Sequence, residues 1–212
     1  MIGLEKAIVA TYFHTPEHGQ LAYQEDALIT INQDGVIDRI VPQDDGDYQP
    51  LIALFEERGT LIRLTDGQYL LPGFIDTHIH APQWPQAGIA LDAPLDVWLN
   101  EHTFPLEAKY KDIDFAKEVY TDLVATLLAR GTTTALYFGT IHKESSFELV
   151  KIAAEKGQRA LVSKVVMDDP QGNPDFYRDA STEIALKETE EFIQEVRAFG
   201  KDVIQGVYPV VM

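Results

Sequence analysis

The stretch LLPGFIDTHIHAPQWPQAG, residues Leu70–Gly88, joins an apolar run to two histidines, His78 and His80. Its segment FIDTHIH is typical of a buried β-strand. Residues i and i+2 of a strand point to the same face, so we expect the two imidazoles to point together. The pair therefore indicates one of two things. Either both rings hydrogen-bond to loop carbonyls at a strand end, or they form half of a metal site.

Beyond this strand the sequence alternates helical and extended patterns. DIDFAKEVYTDLVATLLARG, SSFELVKIAAEKG and STEIALKETEEFIQEVRAFG each predict a helix, and TTTALYFGT, RALVSKVVMD and VIQGVYPVVM each predict a strand. Asp114 and Ser145 are the predicted caps of the first two helices, and Gly131, Gly157 and Gly200 are the predicted ends.

The predicted order from residue 70 is β-α-β-α-β-α-β. Strands joined by helices of this length must run parallel, with right-handed crossovers. The sequence therefore predicts an α/β fold in which residues 69–212 form half of a (β/α)8 barrel or a small open sheet. The chain ends on a predicted strand that no helix follows, which leads us to expect a truncated barrel with unpaired edges.

Residues 1–68 are predicted to be mostly extended. KAIVATYF and ALITIN are β-rich, and Asp34-Gly35 and Asp66-Gly67 are tight-turn signals between such runs. Residues 44–50 are polar and are predicted to form a loop. This part of the chain is therefore predicted to be a small β-sheet or β-sandwich portion.

Composition excludes several functional classes. The 212 residues include 34 acidic and 17 basic side chains, for a formal charge of −17, so a nucleic acid partner is not expected. There is no cysteine, and any transition-metal site must use histidine and carboxylate ligands. No window approaches eighteen uninterrupted apolar residues, and the first residues lack a signal-peptide pattern. We therefore expect no membrane association and a cytoplasmic protein.

The position of the histidine pair favours the metal-site interpretation. Active sites of parallel barrels and open sheets assemble at the carboxyl ends of the strands, which is where His78 and His80 fall. Imidazole nitrogen binds zinc at about 2.0–2.1 Å, and two histidines of one strand can share one ion. The placement thus favours a metal site, and hydrogen bonds from both rings to loop carbonyls stay open as the alternative.

Three motifs resemble those of a known family. LLPGFIDTHIHAPQ resembles the signature of the amidohydrolase superfamily, which comprises metal-dependent hydrolases on a (β/α)8 barrel with a flanking β-sandwich. HAPQW and WLNEHTFPLEAKY resemble segments of its guanine deaminases, with His102 where tyrosine is usual. The resemblance implies a zinc-dependent enzyme that hydrolyses guanine to xanthine and ammonia.

The resemblance also assigns roles to particular positions. His78 and His80 would be zinc ligands, and Asp76 would be a supporting carboxylate. The residues implied to line the guanine pocket are His80, Ala81, Pro82, Gln83 and Trp84. Gln83 carries both an acceptor and a donor, which suits the mixed edge of a purine. Trp84 would either stack against the purine or cover the core.

The remaining family machinery is expected outside these 212 residues. The resemblance places the other zinc ligands, the proton-shuttling glutamate and the purine clamp in chain beyond residue 212. No catalytic residue is identified within this chain, and His142 is not expected to replace a ligand. The chain alone is therefore expected to be inactive, and the complete enzyme is expected to be a homodimer.

Two alternatives stay open. One is another amidohydrolase that acts on a different amino-heterocycle or a chlorinated triazine. The other is a truncated product that only assembles with partners.

Overall fold

A computed structural model describes residues 4–211. The chain divides into two units, Met1–Pro72 and Gly73–Met212, whereas the sequence pattern predicts a boundary after residue 68. Each unit has its own hydrophobic core. The candidate site lies in the second unit, so the first is described briefly.

The first unit contains one five-stranded sheet. Strands β1 (Leu4–His14), β2 (Ala22–Asn32) and β3 (Ile37–Val41) form an antiparallel meander. The Asp34-Gly35 turn between β2 and β3 is confirmed, with Gly35 at a φ of +74°. The side-chain oxygen of Asn32 accepts hydrogen bonds from two backbone N–H groups of this turn, which fixes its conformation.

The second predicted hairpin of this unit is wrong. Strands β4 (Leu61–Arg63) and β5 (Tyr69–Leu70), on either side of Asp66-Gly67, both pair in parallel with β1 and not with each other. A turn signal in the sequence specifies a local reversal, but it does not determine which strand is the hydrogen-bonding partner.

A helix in this unit replaces part of a predicted loop. Helix α1 spans Tyr48–Glu57, whereas residues 44–50 were predicted to be irregular. Tyr48, Ile52 and Phe55 are its buried residues, and they pack on side chains of β1, β2 and β3. Burial of this apolar face stabilises a helix whose start is polar in sequence. The layer over the sheet is thus a helix, and residues 4–72 contain only one sheet of the predicted sandwich portion.

The second unit confirms the predicted alternation of strands and helices. Its strands are β6 (Phe74–His80), β7 (Thr132–Phe138), β8 (Arg159–Ser163) and β9 (Val207–Pro209). They form one parallel sheet in the order β6-β7-β8-β9. The sequential order follows from helical crossovers that return the chain to the next position in the sheet. It leaves β6, which carries the two histidines, at an edge.

Three helices cover this sheet. They are α4 (Ile113–Ala129), α5 (Lys143–Lys156) and α6 (Thr182–Gly200). The shared core is built from apolar side chains of the strands and helices, among them Tyr120, Ala135, Leu149, Val162 and Phe192. Among the helices of residues 4–211, none is long and apolar enough to cross a membrane.

The helix starts differ from the predicted ones. Asp112, not Asp114, caps α4, and its carboxylate accepts hydrogen bonds from the backbone N–H groups of Asp114 and Phe115. Helix α5 begins at Lys143, before the predicted cap Ser145, which is buried. Each helix gains one further turn or part of a turn because tertiary packing adds to local preference.

The connection from β6 to α4 is mostly helical, although its sequence pattern predicts no helix there. It comprises a 3₁₀ helix (Ala81–Gln86), α2 (Leu95–Trp98), a π-helical turn (Leu99–Thr103), α3 (Phe104–Glu107) and a second 3₁₀ helix (Ala108–Lys111). Short 3₁₀ and π segments break the simple 3.6-residue period, so hydrophobic spacing does not reveal them.

Candidate functional site

The two histidines of β6 face each other at its carboxyl end. The Nε2 atoms of His78 and His80 are 3.1 Å apart. Two imidazoles bound to one tetrahedral zinc at about 2.0–2.1 Å would place their nitrogens about 3.3–3.4 Å apart. Among residues 4–211 neither ring hydrogen-bonds to a loop carbonyl, so the alternative of carbonyl-satisfied histidines does not describe them. The pair fits two of the ligand positions around a zinc ion.

Phe138 orients both imidazoles. It ends β7 and lies directly beside His80 in the sheet. Its ring centroid is 4.5 Å from that of His78 and 4.5 Å from that of His80, with the His80 ring nearly parallel at 13°. An aromatic surface under the pair limits ring rotation without using a ring nitrogen. Partial burial and the neighbouring His78 lower the pKa of His80, which favours the neutral, metal-binding form.

Asp76 supports the backbone of this strand end. Its Oδ1 accepts a hydrogen bond from the backbone N–H of His78 at 3.0 Å. The carboxylate therefore holds the chain at the first histidine. In the part of the chain that the structure describes, no three His, Asp or Glu side chains come together as a metal-binding group.

Gln83 lies one turn beyond the histidines and is held by a buried carboxylate. Its Nε2 donates a hydrogen bond to Oε1 of Glu107, on α3, at 2.9 Å. The other carboxylate oxygen, Oε2, accepts a hydrogen bond from the Tyr177 hydroxyl at 2.7 Å. Burial raises the pKa of Glu107, while the hydrogen bonds from Gln83 and Tyr177 oppose that rise.

A second hydrogen bond joins the 3₁₀ helix that contains Gln83 to the helical segment that contains Glu107. Gln86 Nε2 donates to Thr103 Oγ1 at 2.8 Å. Gln83 and Gln86 are three residues apart and share one face of the 3₁₀ helix, while Thr103 and Glu107 are four apart in the facing helical segment. The two bonds form a short ladder that fixes Ala81–Gln86 against the segment containing Glu107.

The other predicted pocket residues have different surroundings. Ala81 and Pro82 are buried, and the Pro82 carbonyl accepts a hydrogen bond from the Tyr110 hydroxyl at 2.9 Å. The Trp84 indole donates to Oδ2 of Asp122, on α4, at 2.7 Å, and its ring packs against the core. The assignment of Ala81, Pro82 and Trp84 to a ligand pocket stays a prediction.

A shallow depression connects the histidines with Gln83. It has a volume of about 330 Å³ and opens along the edge strand β6. The side chains that line it include those of Asp76, His78, His80, Gln83 and Trp84. The two candidate metal ligands and the held amide therefore share one surface concavity.

Comparison with protein-family models identifies the family of this chain. Residues 69–210, which include β6 and the depression, match the model of the amidohydrolase family. The chain belongs to the amidohydrolase family. The resemblance read from the sequence motifs is thereby confirmed.

Guanine deaminases are among the relatives of this amidohydrolase. It is 38% identical over 214 residues to the guanine deaminase of Dictyostelium discoideum, an alignment that covers 95% of this chain and 46% of that protein. It superposes on the guanine deaminase of C. acetobutylicum with bound guanine at a TM-score of 0.83 and 30% identity, covering 98% of this chain and 45% of that one. The chain thus spans about half the length of these relatives.

A more distant structure shares the fold alone. Atrazine chlorohydrolase TrzN from Arthrobacter aurescens TC1, complexed with zinc, superposes at a TM-score of 0.71 with 16% identity, covering 99% of this chain and 45% of that one. At this identity the similarity supports the architecture of this amidohydrolase and says nothing of its substrate.

Glu107, Tyr177 and Phe138 were not singled out from the sequence. Glu107 carried one signal, because it lies within the motif WLNEHTFPLEAKY and follows Thr103 by four residues, but its partner Gln83 is 24 residues away. Tyr177 is 70 residues from Glu107, in a segment without a motif. Contacts at such separations depend on the fold of the whole unit.

The remaining histidines of this amidohydrolase lie elsewhere. His14 and His18 belong to the first unit, and His102 lies in the π-helical turn. His142 precedes α5, where burial lowers its pKa and its Nε2 is buried without a hydrogen-bond partner among the described residues. None joins His78 and His80 in a group of three ligands within residues 4–211.

Proposed function

We propose that this chain supplies the zinc-binding and guanine-binding part of a guanine deaminase, which hydrolyses guanine to xanthine and ammonia. The observation that carries the proposal is one depression that joins the facing Nε2 atoms of His78 and His80 to the amide of Gln83. We further propose that β6–β9 are the first four strands of a (β/α)8 barrel, with residues 1–68 as part of the flanking β-domain.

The residues of this chain would bind the metal and orient the purine. His78 and His80 would each give one imidazole nitrogen to zinc, and Phe138 would hold both rings in place. Zinc lowers the pKa of bound water to about 7 and so supplies a nucleophile near neutral pH. Gln83 would bind the purine edge so that the amino-bearing ring carbon lies near this nucleophile.

The net reaction replaces the amino group of guanine with oxygen from water. One water adds across the amino-bearing carbon, the carbon–nitrogen bond breaks, and the nitrogen leaves as ammonia. The proton that the leaving nitrogen needs comes from a general acid, a role for which no side chain around His78 and His80 is assigned.

The test combines this chain with the part of a relative that it does not match. The 212-residue chain, loaded with zinc, is expected to bind guanine without turnover. Xanthine should form when the separately expressed remainder of the Dictyostelium guanine deaminase is added, and His78→Ala with His80→Ala in this chain should abolish it. Folded mixtures that deaminate adenine or amino-triazines but not guanine would contradict the proposal.

A further inference from the structure

We infer that Glu107 is a positioning residue that fixes the Gln83 amide so that its carbonyl oxygen faces the ligand. The inference rests on the proposed function, because it takes the depression beside His78 and His80 as the purine site. It assigns a role to a residue that contacts neither zinc nor purine and acts through Gln83.

The orientation follows from the hydrogen-bonding capacity of a carboxylate. Glu107 is 6% exposed, and an ionised carboxylate accepts hydrogen bonds but donates none. While Glu107 is ionised, only the nitrogen end of the Gln83 amide can therefore face Oε1, and the two atoms are 2.9 Å apart. The flipped amide would bring its carbonyl oxygen against the carboxylate oxygen, so two buried acceptors would repel each other.

Tyr177 holds the carboxylate from its other side. Its hydroxyl donates to Glu107 Oε2 at 2.7 Å and accepts a hydrogen bond from the backbone N–H of Ile141 at 3.4 Å. Tyr177 is fully buried, so this contact is shielded from water. Glu107 thus has one oxygen engaged by Tyr177 and one oxygen available to select the amide orientation.

The free end of Gln83 then determines which ligand edge fits. Its Oε1 has no hydrogen-bond partner among residues 4–211, and the side chain lines the depression. A carbonyl oxygen accepts from N–H groups, so it suits the edge of guanine at which the N1–H and 2-amino donors lie side by side. At the corresponding edge adenine presents an acceptor at N1 and only a C–H group at C2. The Glu107–Gln83 pair therefore favours guanine over adenine.

Nuclear magnetic resonance can test the positioning in the 212-residue chain without a ligand. The side-chain amide signals of Gln83, assigned by their loss in Gln83→Ala, should show slow hydrogen exchange. Glu107→Ala should accelerate this exchange and shift the signals. Tyr48→Phe is the control, because it removes another buried tyrosine hydroxyl bond, to the Asp26 carbonyl oxygen, in the first unit. Unaltered Gln83 signals in Glu107→Ala would overturn the inference.

A double-mutant cycle tests the consequence for recognition. In the zinc-loaded chain, Gln83→Ala and Glu107→Ala should each weaken guanine binding about two- to tenfold. The double variant should bind no more weakly than Gln83→Ala alone, because Glu107 acts through Gln83. Glu107→Gln keeps an acceptor oxygen and should retain more affinity than Glu107→Ala. Multiplied losses in the double variant, or an equal loss in Tyr48→Phe, would overturn the inference.

The nuclear magnetic resonance experiment and the binding experiment together distinguish failure of the inference from failure of the proposed function. If the wild-type chain does not bind guanine, the proposed function of the depression fails, and the amide exchange still decides whether Glu107 fixes Gln83. If the chain binds guanine but Glu107→Ala binds it equally well, the function stands and the positioning role is wrong.

Discussion

The Nε2 atoms of His78 and His80 lie 3.1 Å apart at the end of an edge strand. Both rings turn toward one point, and Phe138 packs against both of them. Without a cation, one imidazole can donate a hydrogen bond to the other in the appropriate tautomer, whereas a shared cation would bind one lone pair from each ring.

Zinc binding is the first prediction. The wild-type chain should bind one zinc ion weakly, since two imidazoles leave half of a tetrahedral coordination sphere to water or other ligands. His78→Ala with His80→Ala should abolish binding in a calorimetric titration and leave the far-ultraviolet circular dichroism unchanged. His14→Ala with His18→Ala, in the first unit, is the matched control and should keep the zinc. Zinc retained by the His78 and His80 double variant would refute the site.

The features predictable from sequence are those that depend on short-range periodicity. The common direction of His78 and His80 follows from the two-residue repeat of a strand, and the parallel order of β6–β9 follows from the helices between them. Gly157 was also predictable as a helix end, and it has a φ of +79°.

The features that escaped prediction depend on packing between distant segments. Helix α1 forms because Phe55 and its neighbours cover the sheet of the first unit, although the helix start is polar. Asp112 caps α4 where Asp114 was expected, because the helix start is set by the preceding 3₁₀ turn. Glu107 meets Gln83 only once the connection after β6 has folded back on itself.

Gly139, which follows β7, should not tolerate a side chain. A Cβ atom there would lie 2.5 Å from both the Ser163 carbonyl oxygen and Ser146 Oγ. Gly139→Ala should therefore lower the free energy of unfolding by about 1–3 kcal/mol through overpacking. Gly46→Ala is the control, because a Cβ there meets nothing within 4 Å and the change should stay within about 0.5 kcal/mol. Equal urea midpoints for the two variants would contradict this close approach.

The bond between Trp84 and Asp122 should stabilise the connection after β6. Trp84→Phe keeps an aromatic ring against the core but removes the indole N–H that donates to Asp122 at 2.7 Å. We expect a loss of about 0.5–1.5 kcal/mol in urea unfolding. Asp122→Ala should cost a similar amount, and the double variant should cost less than the sum. Fully additive losses would show that the two side chains do not stabilise each other.

The stability of the chain should depend on pH through Glu107. Burial raises its folded pKa above the ordinary value of 4.5, so the folded state binds this proton more tightly than the unfolded state does. The associated stabilisation is present below pH 4.5 and is lost as pH rises through the raised pKa. Tyr110, Tyr120 and Tyr177 surround the carboxylate, and burial raises the pKa of each, so they stay neutral in this range.

Comparison of wild type with Glu107→Gln isolates this contribution. The free energy of unfolding of wild type minus that of the variant should fall as pH rises from 4.5, then level off once Glu107 is ionised in both states. Glu183→Gln provides a control of opposite sign, because hydrogen bonds from its own backbone and from Ser181 lower the pKa of Glu183. For that variant the difference should fall toward acidic pH. Urea unfolding at acidic to neutral pH measures both differences. If the difference between wild type and Glu107→Gln does not vary with pH, burial leaves the pKa of Glu107 unperturbed.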